Sequence, residues 1–109
     1  MVKYDQAATD RVFGALSHPL RREILTRLHH RPGLSSTELM DPFVLTMPAM
    51  HKHLGVLVDA GLVKKSKVGR TTAFVLAPDG FRHASRWLAQ YELFWSHGLD
   101  RLARLVEES

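Results

Sequence analysis

The sequence predicts a mainly α-helical fold with one small β-hairpin, in the order helix, helix, helix, helix, hairpin, helix. Apolar residues recur at spacings of three and four over most of the chain, which is the period of helices with one buried face. This pattern gives way to two β-prone runs separated by Gly69 and Arg70, the signature of a tight hairpin. The 109 residues suit a single domain, expected to span residues 1–109.

The N-terminal part of the chain is expected to form two helices. The first covers Ala7–Leu16 and stops at Ser17-His18-Pro19. Pro19 suits the first turn of the second helix, where a missing N–H leaves no hydrogen bond unmade. That helix is expected to end near Arg31-Pro32-Gly33. Its apolar stripe comprises Leu20, Ile24, Leu25 and Leu28.

A capping signal marks the start of a short third helix. Ser35 and Glu38 have the spacing of a capping box, in which a hydroxyl and a carboxylate satisfy N–H groups at a helix start. We therefore expect a helix through Met40. Asp41-Pro42 ends it.

A fourth helix follows after the turn Phe43-Val44-Leu45. Thr46 is its expected N-cap, and the helix continues to Ala60 with Gly61 at its C-terminal end. Its periodicity directs one set of side chains to the core, namely Met50, Leu54, Leu57 and Val58. The opposite face carries Met47, His51, Lys52 and Gly55.

Two short helices joined by a tight turn form the helix-turn-helix arrangement of DNA-binding proteins. The N-terminal part of the second helix enters the major groove, so its first residues lie nearest the base edges. N–H and hydroxyl groups at the start of the preceding helix suit a phosphate oxygen. The candidate base contacts are Thr46, Met47, Pro48, Ala49, His51 and Lys52, and the candidate phosphate contacts are Ser35, Ser36 and Thr37.

The whole sequence has a formal net charge of +4. The hairpin carries most of the basic residues in the middle of the chain. Its runs Leu62–Val68 and Thr71–Leu76 place Arg70 at the tip, where it could enter a narrow minor groove. A solvated lysine-rich hairpin is the alternative. Adjacent to a helix-turn-helix, the hairpin predicts a winged helix-turn-helix that binds double-stranded DNA. The basic residues of this wing are Lys64, Lys65, Lys67 and Arg70.

A long last helix beyond Pro78-Asp79 is expected to run almost to the end, and the three-and-four spacing of its apolar residues is broken only at Gly98. Its apolar stripe is wider than one buried helix face requires. Two interpretations remain open, a homodimer core or the wall of a pocket for a small-molecule effector. The candidate dimer contacts are Val12, Phe13, Leu16, Phe81, Trp87, Leu88, Tyr91, Phe94, Trp95 and Leu102.

Several classes of function are excluded by what the sequence lacks. It contains no cysteine, so disulfides and thiolate metal ligands cannot form. No catalytic motif indicates an enzyme, and no cofactor is expected. No apolar run is long enough to span a membrane and no secretory leader is evident, so a cytoplasmic location without membrane contact is expected.

Three segments together resemble the ArsR-type (arsenic repressor-like) transcriptional regulators: Ala15–Leu25 (ALSHPLRREIL), Met47–Leu57 (MPAMHKHLGVL) and Ala60–Val63 (AGLV). The aromatic pattern from Trp87 to Leu102 is similar to a branch without metal-binding cysteines. The resemblance covers nearly the whole chain. It implies a homodimer assembled through the first and last helices, which binds palindromic operator DNA and usually represses.

The resemblance also implies base-reading roles for part of the fourth helix, at Thr46, Met47, Pro48, His51 and Lys52. The chain departs from the family at His51, where serine is common, so the family's operator preference cannot be transferred. A metal-responsive repressor is one alternative, with His83, His97 and Asp100 as ligands on the last helix. Their spacing does not match the family's paired ligands. A protein-interaction module without DNA binding is the other alternative.

Overall fold

The structure is a computed structural model that describes residues 2–108. It confirms the mainly α-helical class with one hairpin. The elements in chain order are α1 (Val2–Leu16), α2 (Pro19–His30), β1 (Leu34–Ser35), α3 (Ser36–Met40), α4 (Met47–Asp59), β2 (Val63–Val68), β3 (Thr71–Leu76) and α5 (Pro78–Glu108).

The predicted helix starts are confirmed by their hydrogen bonds. Ser35 Oγ accepts from the Glu38 N–H at 3.2 Å, and the Glu38 carboxylate accepts from the Ser35 N–H at 3.0 Å. Thr46 Oγ1 accepts from the Ala49 N–H at 3.3 Å. These bonds satisfy N–H groups that have no partner within a helix, which fixes where α3 and α4 begin.

A three-stranded antiparallel sheet in the order β1-β3-β2 contains the hairpin. Val63 pairs with Leu76 at its base and Val68 with Thr71 at its tip. Gly69 supplies the positive φ of 64° that the tight turn requires. The sequence did not reveal β1, because two residues are too few for an alternating pattern.

The hydrophobic core lies between α1, α2, α4, the sheet and the first turns of α5. Its fully buried side chains include Ile24, Leu28, Leu39, Met50, Leu57 and Leu62. Val12 is also fully buried, at 0% exposure. Its expected place in a dimer interface is therefore wrong, because this face of α1 packs into the chain's own core.

Helix α5 begins in tight contact with the end of α4. The Gly80 N–H donates to the Gly61 carbonyl at 2.9 Å. A Cβ atom at position 80 would lie 2.5 Å from the Ala60 carbonyl oxygen and 2.8 Å from Gly61 C, so only glycine fits without a shift.

Beyond these first turns, α5 leaves the core. Every residue from 85 to 108 is exposed except the half-buried Gly98. The helix continues through Gly98 as one element, as expected; a single glycine weakens a helix without ending it. No helix among residues 2–108 has the length and apolar character to cross a membrane.

Candidate nucleic-acid interface

Helix α4 separates its side chains as the periodicity predicted. Met50, Leu54 and Leu57 are buried, whereas His51 and Lys52 are exposed on the opposite face. Among the other candidate base contacts, Thr46 and Pro48 are exposed, and Met47 and Ala49 are half-buried. The N-terminal part of α4 therefore presents a short, polar surface to solvent.

The end of α3 and the following turn are held by a residue that the sequence analysis missed. Arg27 on α2 donates from Nη1 to the Leu39 carbonyl at 2.6 Å and from Nη2 to the Glu38 carbonyl at 3.2 Å. Its guanidinium carbon also lies 6.0 Å from the centre of the Phe43 ring. Arg27 thereby satisfies helix-end carbonyls and holds the end of α3 and the following turn against α2. No spacing rule links residues so far apart in sequence.

The capping box changes what the start of α3 can offer a phosphate. The N–H of Ser35 is bonded to Glu38, and its hydroxyl oxygen accepts from Glu38. The backbone and side-chain bonds from Ser35 lower the pKa of Glu38, so this carboxylate stays negative at neutral pH. Ser36 is half-buried and Thr37 exposed beside it.

The basic side chains of the wing are all exposed. Because Lys65 pairs with the buried Phe74 and Lys67 with Thr72, Lys65 and Lys67 lie on the sheet face that contains Phe74. Lys64, one residue along, lies on the opposite face. Arg70 is exposed at the tip.

A groove of about 290 Å³ separates α4 from the wing. We refer to α4, the second helix of the helix-turn-helix, as the recognition helix. The groove brings His51 of this helix, Lys65 of the wing and Ser36 of α3 to one concave surface. Gly55 and Thr72 also line it, although the sequence analysis assigned neither to DNA. Three elements that the sequence analysis linked to DNA thus converge on one side of the molecule.

The opposite end of the molecule carries an apolar surface along α5. We define the aromatic face by its residues Trp87, Tyr91, Phe94, Trp95, Leu99 and Leu102, all of which are exposed. The Trp87 and Tyr91 rings stack at 4.9 Å between centroids, and Tyr91 and Trp95 at 6.3 Å. Phe13 of α1 meets Trp87 edge to face at 5.5 Å.

Other candidate dimer contacts surround the aromatic face. Phe81 and Leu88 are exposed, whereas Phe13 and Leu16 are half-buried and pack against the core. Soluble monomers rarely expose an apolar surface of this extent. This is the surface that a second subunit or another partner would cover.

The three residues of the alternative metal site do not meet within one chain. His83 and His97 lie fourteen positions apart on the continuous helix α5, a separation of about 21 Å along its axis. Among residues 2–108, no three His, Asp or Glu side chains are grouped so that they could hold a metal ion.

Comparison with known proteins links this architecture to transcriptional regulators. A family model described as a helix-turn-helix domain matches residues 16–66. The chain is 33% identical to the HTH-type transcriptional regulator Rv2034 of Mycobacterium tuberculosis over 98 residues, which cover 90% of this chain and 88% of the relative.

Solved structures show the same fold. The ArsR-like transcriptional regulator from Rhodococcus sp. RHA1 is 30% identical with a TM-score of 0.83, and the match covers 100% of this chain and 99% of that one. A homodimeric winged helix-turn-helix DNA-binding domain from Mycobacterium bovis is 19% identical with a TM-score of 0.63, covering 88% and 85% of the chains.

The relatives are regulators of transcription, which confirms the expectation that the chain is not an enzyme. The winged fold, the helix-turn-helix match and the relatives covering almost the whole chain agree with the resemblance drawn from its motifs. The chain belongs to the ArsR family of winged helix-turn-helix transcriptional regulators.

Proposed function

We propose that the chain is a single-domain homodimeric repressor that acts in the cytoplasm and binds a palindromic operator. The observation that carries this proposal is the shared groove, in which His51 of α4 and Lys65 of the wing face the same side. In this arrangement α4 enters the major groove while the wing follows the adjacent backbone.

The contacts divide by chemistry into base readout and backbone binding. His51 can donate or accept at a base edge, and Lys52 can donate to guanine acceptors. Met47 and Ala49 offer apolar contact to a thymine methyl, with Thr46 and Pro48 beside them. The base contacts specify the sequence and the phosphate contacts set the position of the protein.

Phosphate contacts are assigned to the wing and to the start of α3. Lys64, Lys65 and Lys67 bind the backbone, and Arg70 reaches the minor groove. At α3, Ser36 and Thr37 are the principal contacts, because Ser35 is engaged in the capping box.

The aromatic face supports the homodimer. Two copies that bury this face against each other would cover the apolar surface along the outer part of α5. The Mycobacterium bovis domain that shares the fold is homodimeric, so the fold accommodates such an assembly. Two-fold symmetry places the two α4 helices on inverted half-sites about one helical turn apart.

The aromatic face also offers a place for an effector. Tyr91, Phe94, Trp95 and Leu102 border a hollow of about 390 Å³. Its lining is apolar, so an apolar small molecule is the chemistry that it suits. In a dimer, such a molecule would lie between the subunits.

The proposal is tested by selecting bound fragments from random duplexes and measuring their affinity at several salt concentrations. We expect an inverted repeat, and an affinity that falls as salt rises because counterions are released. Replacing His51 by alanine should change the preferred half-site, whereas replacing Lys64 should weaken binding to all sequences alike. The absence of salt-dependent duplex binding would favour the protein-interaction module instead.

A further inference from the structure

Three side chains outside the DNA-binding surface meet where the α1–α2 corner touches the recognition helix. His18 Nδ1 accepts from the Leu20 N–H at 3.1 Å, at the start of α2. His53 Nδ1, on α4, lies 3.3 Å from Arg21 Nη1. The two imidazole rings are 4.7 Å apart between centroids. We refer to His18, Arg21 and His53 as the histidine clasp.

Arg21 connects the clasp to the end of α1. Its Nε donates to the Ala15 carbonyl at 2.7 Å, and its Nη2 donates to the Gly14 carbonyl at 3.1 Å. The third nitrogen, Nη1, lies 3.3 Å from His53 Nδ1. One guanidinium therefore joins the C-terminal end of α1 to the recognition helix, two residues from His51 and adjacent to Lys52.

The partners in the clasp determine how both imidazoles bond. A guanidinium and a backbone N–H can only donate, so the Nδ1 atoms of His18 and His53 both act as acceptors. For His53, this contact requires the neutral ring with its proton on Nε2. A proton added to Nδ1 of His53 would point toward a donor of Arg21.

The surroundings of His53 also oppose protonation. Burial is the largest cause that lowers the pKa of His53, followed by His18, Arg21 and Lys52. The groups that act on it thus lie at the α1–α2 corner, on α2 and on its own helix. No carboxylate is among them.

We propose that the histidine clasp positions the recognition helix only while His53 is neutral, so that acidification weakens operator binding. The inference rests on the DNA-binding function proposed above. His53 acts through Arg21 and α4 and is a positioning residue; it lies off the exposed face that is proposed to read the bases.

The direction of the pH effect follows from the lowered pKa of folded His53. Its contribution to stability is complete above the ordinary histidine value of about 6.5, and is lost as the pH falls through the folded-state pKa. A positive charge gained by an exposed side chain beside DNA has the opposite effect, because it adds attraction to phosphate. Weakening on acidification therefore distinguishes the clasp from general electrostatics.

The test compares the wild type with a variant that carries both His18→Asn and His53→Asn. The asparagine Oδ1 can accept at the position of each Nδ1, and asparagine is a good N-cap, but neither amide titrates. Operator affinity by fluorescence anisotropy and stability by urea unfolding are measured between about pH 7.5 and 5.5 at constant ionic strength. The matched control is His30→Asn, an exposed histidine at the end of α2.

We expect wild type and control to lose about fivefold or more in affinity over this range, and the double variant to change by less than about twofold. NMR titration of wild type should show His53 protonating below the ordinary histidine value of about 6.5. Parallel affinity profiles for all three proteins, or an ordinary titration of His53, would overturn the proposal. If no protein binds the selected duplexes at neutral pH, the proposed function has failed. The unfolding profiles then decide the clasp, which requires stability to fall with acidification more steeply in the wild type than in the double variant.

Discussion

Residues 6–84 and residues 85–108 place the same kinds of side chain in opposite environments. In the first region Ile24, Met50 and Leu57 are buried at the centre of one core. In the second, Trp87, Phe94 and Trp95 are exposed, with Phe94 at 70%. The first region buries its core residues within the chain, whereas the apolar face of the second region is covered by its own chain only where Phe13 meets Trp87.

The apolar pattern along α5 is therefore not explained by burial within one chain. Burying the exposed half of one large aromatic ring contributes roughly 2 kcal/mol. Several rings on one helix face therefore provide enough free energy for tight association, even after the cost of joining two molecules. The core residues of the helix-turn-helix, by contrast, are buried within one chain.

The largest effect is expected when a charge is placed in the aromatic face. Trp95→Glu would bury an unpaired carboxylate in the proposed interface, so we expect a monomer at micromolar concentration and a loss of about 100-fold or more in operator affinity. Analytical ultracentrifugation and anisotropy measure the two effects.

The matched control is Ser96→Glu, which introduces the same charge one residue along, on an exposed position away from the aromatic face. We expect this variant to remain dimeric. A dimeric Trp95→Glu protein with full operator affinity would show that the aromatic face is not the subunit interface.

The next largest effect is expected at the junction between the two regions. Gly80→Ala would force a Cβ to within 2.5 Å of the Ala60 carbonyl oxygen, and we expect about 1–3 kcal/mol of destabilisation. Urea unfolding measures it. Gly14→Ala, in α1 with no atom within 4 Å of the new Cβ, should instead stabilise by about 0.5–1 kcal/mol. Equal stabilities for the two variants would mean that the junction can relax at little cost.

A smaller effect is expected from neutralising one lysine of the wing. Lys67→Ala should reduce affinity for every duplex several-fold and lower the slope of log affinity against log salt by about one. Arg104→Ala removes an equally exposed charge from α5 and should leave the slope unchanged. An unchanged slope for Lys67→Ala would place that side chain away from the phosphates.

No effect on DNA binding is expected from transition metals. The sequence has no cysteine, and His83 and His97 are separated by about 21 Å along α5. Titrating the operator complex with zinc, nickel, cobalt or copper(I) should change its affinity by less than about twofold. Stoichiometric metal binding with a loss of about tenfold or more would instead support a site shared between subunits.

The sequence predicted those features that depend on residues close together in the chain. The capping box at Ser35 and Glu38, the N-cap at Thr46 and the turn at Gly69 were all confirmed, because each depends on a local rule. The core-facing side of α4 was confirmed for the same reason.

Contacts across the fold were not predictable in this way. Arg27 supports α3 from eleven and twelve residues away, and His53 meets Arg21 from 32 residues away. Val12 was expected at the dimer interface, because periodicity identifies an apolar face but not what covers it. The sequence pattern likewise does not show whether the exposed face of α5 contacts a second copy of the chain, because that contact forms between molecules.

The glycine contact at the start of α5 couples the orientation of this helix to the end of the recognition helix. Gly80 is bonded to Gly61 at 2.9 Å, immediately after the recognition helix ends, and α5 then extends for 31 residues, about 46 Å. If α5 turned by about 5° about this contact, its far end would move by about 4 Å. In a dimer held together along α5, the two α5 helices would stay fixed. The same rotation would then move each recognition helix relative to its half-site. In the proposed dimer, the distance between the two recognition helices would thus depend on a backbone contact that involves no side chain.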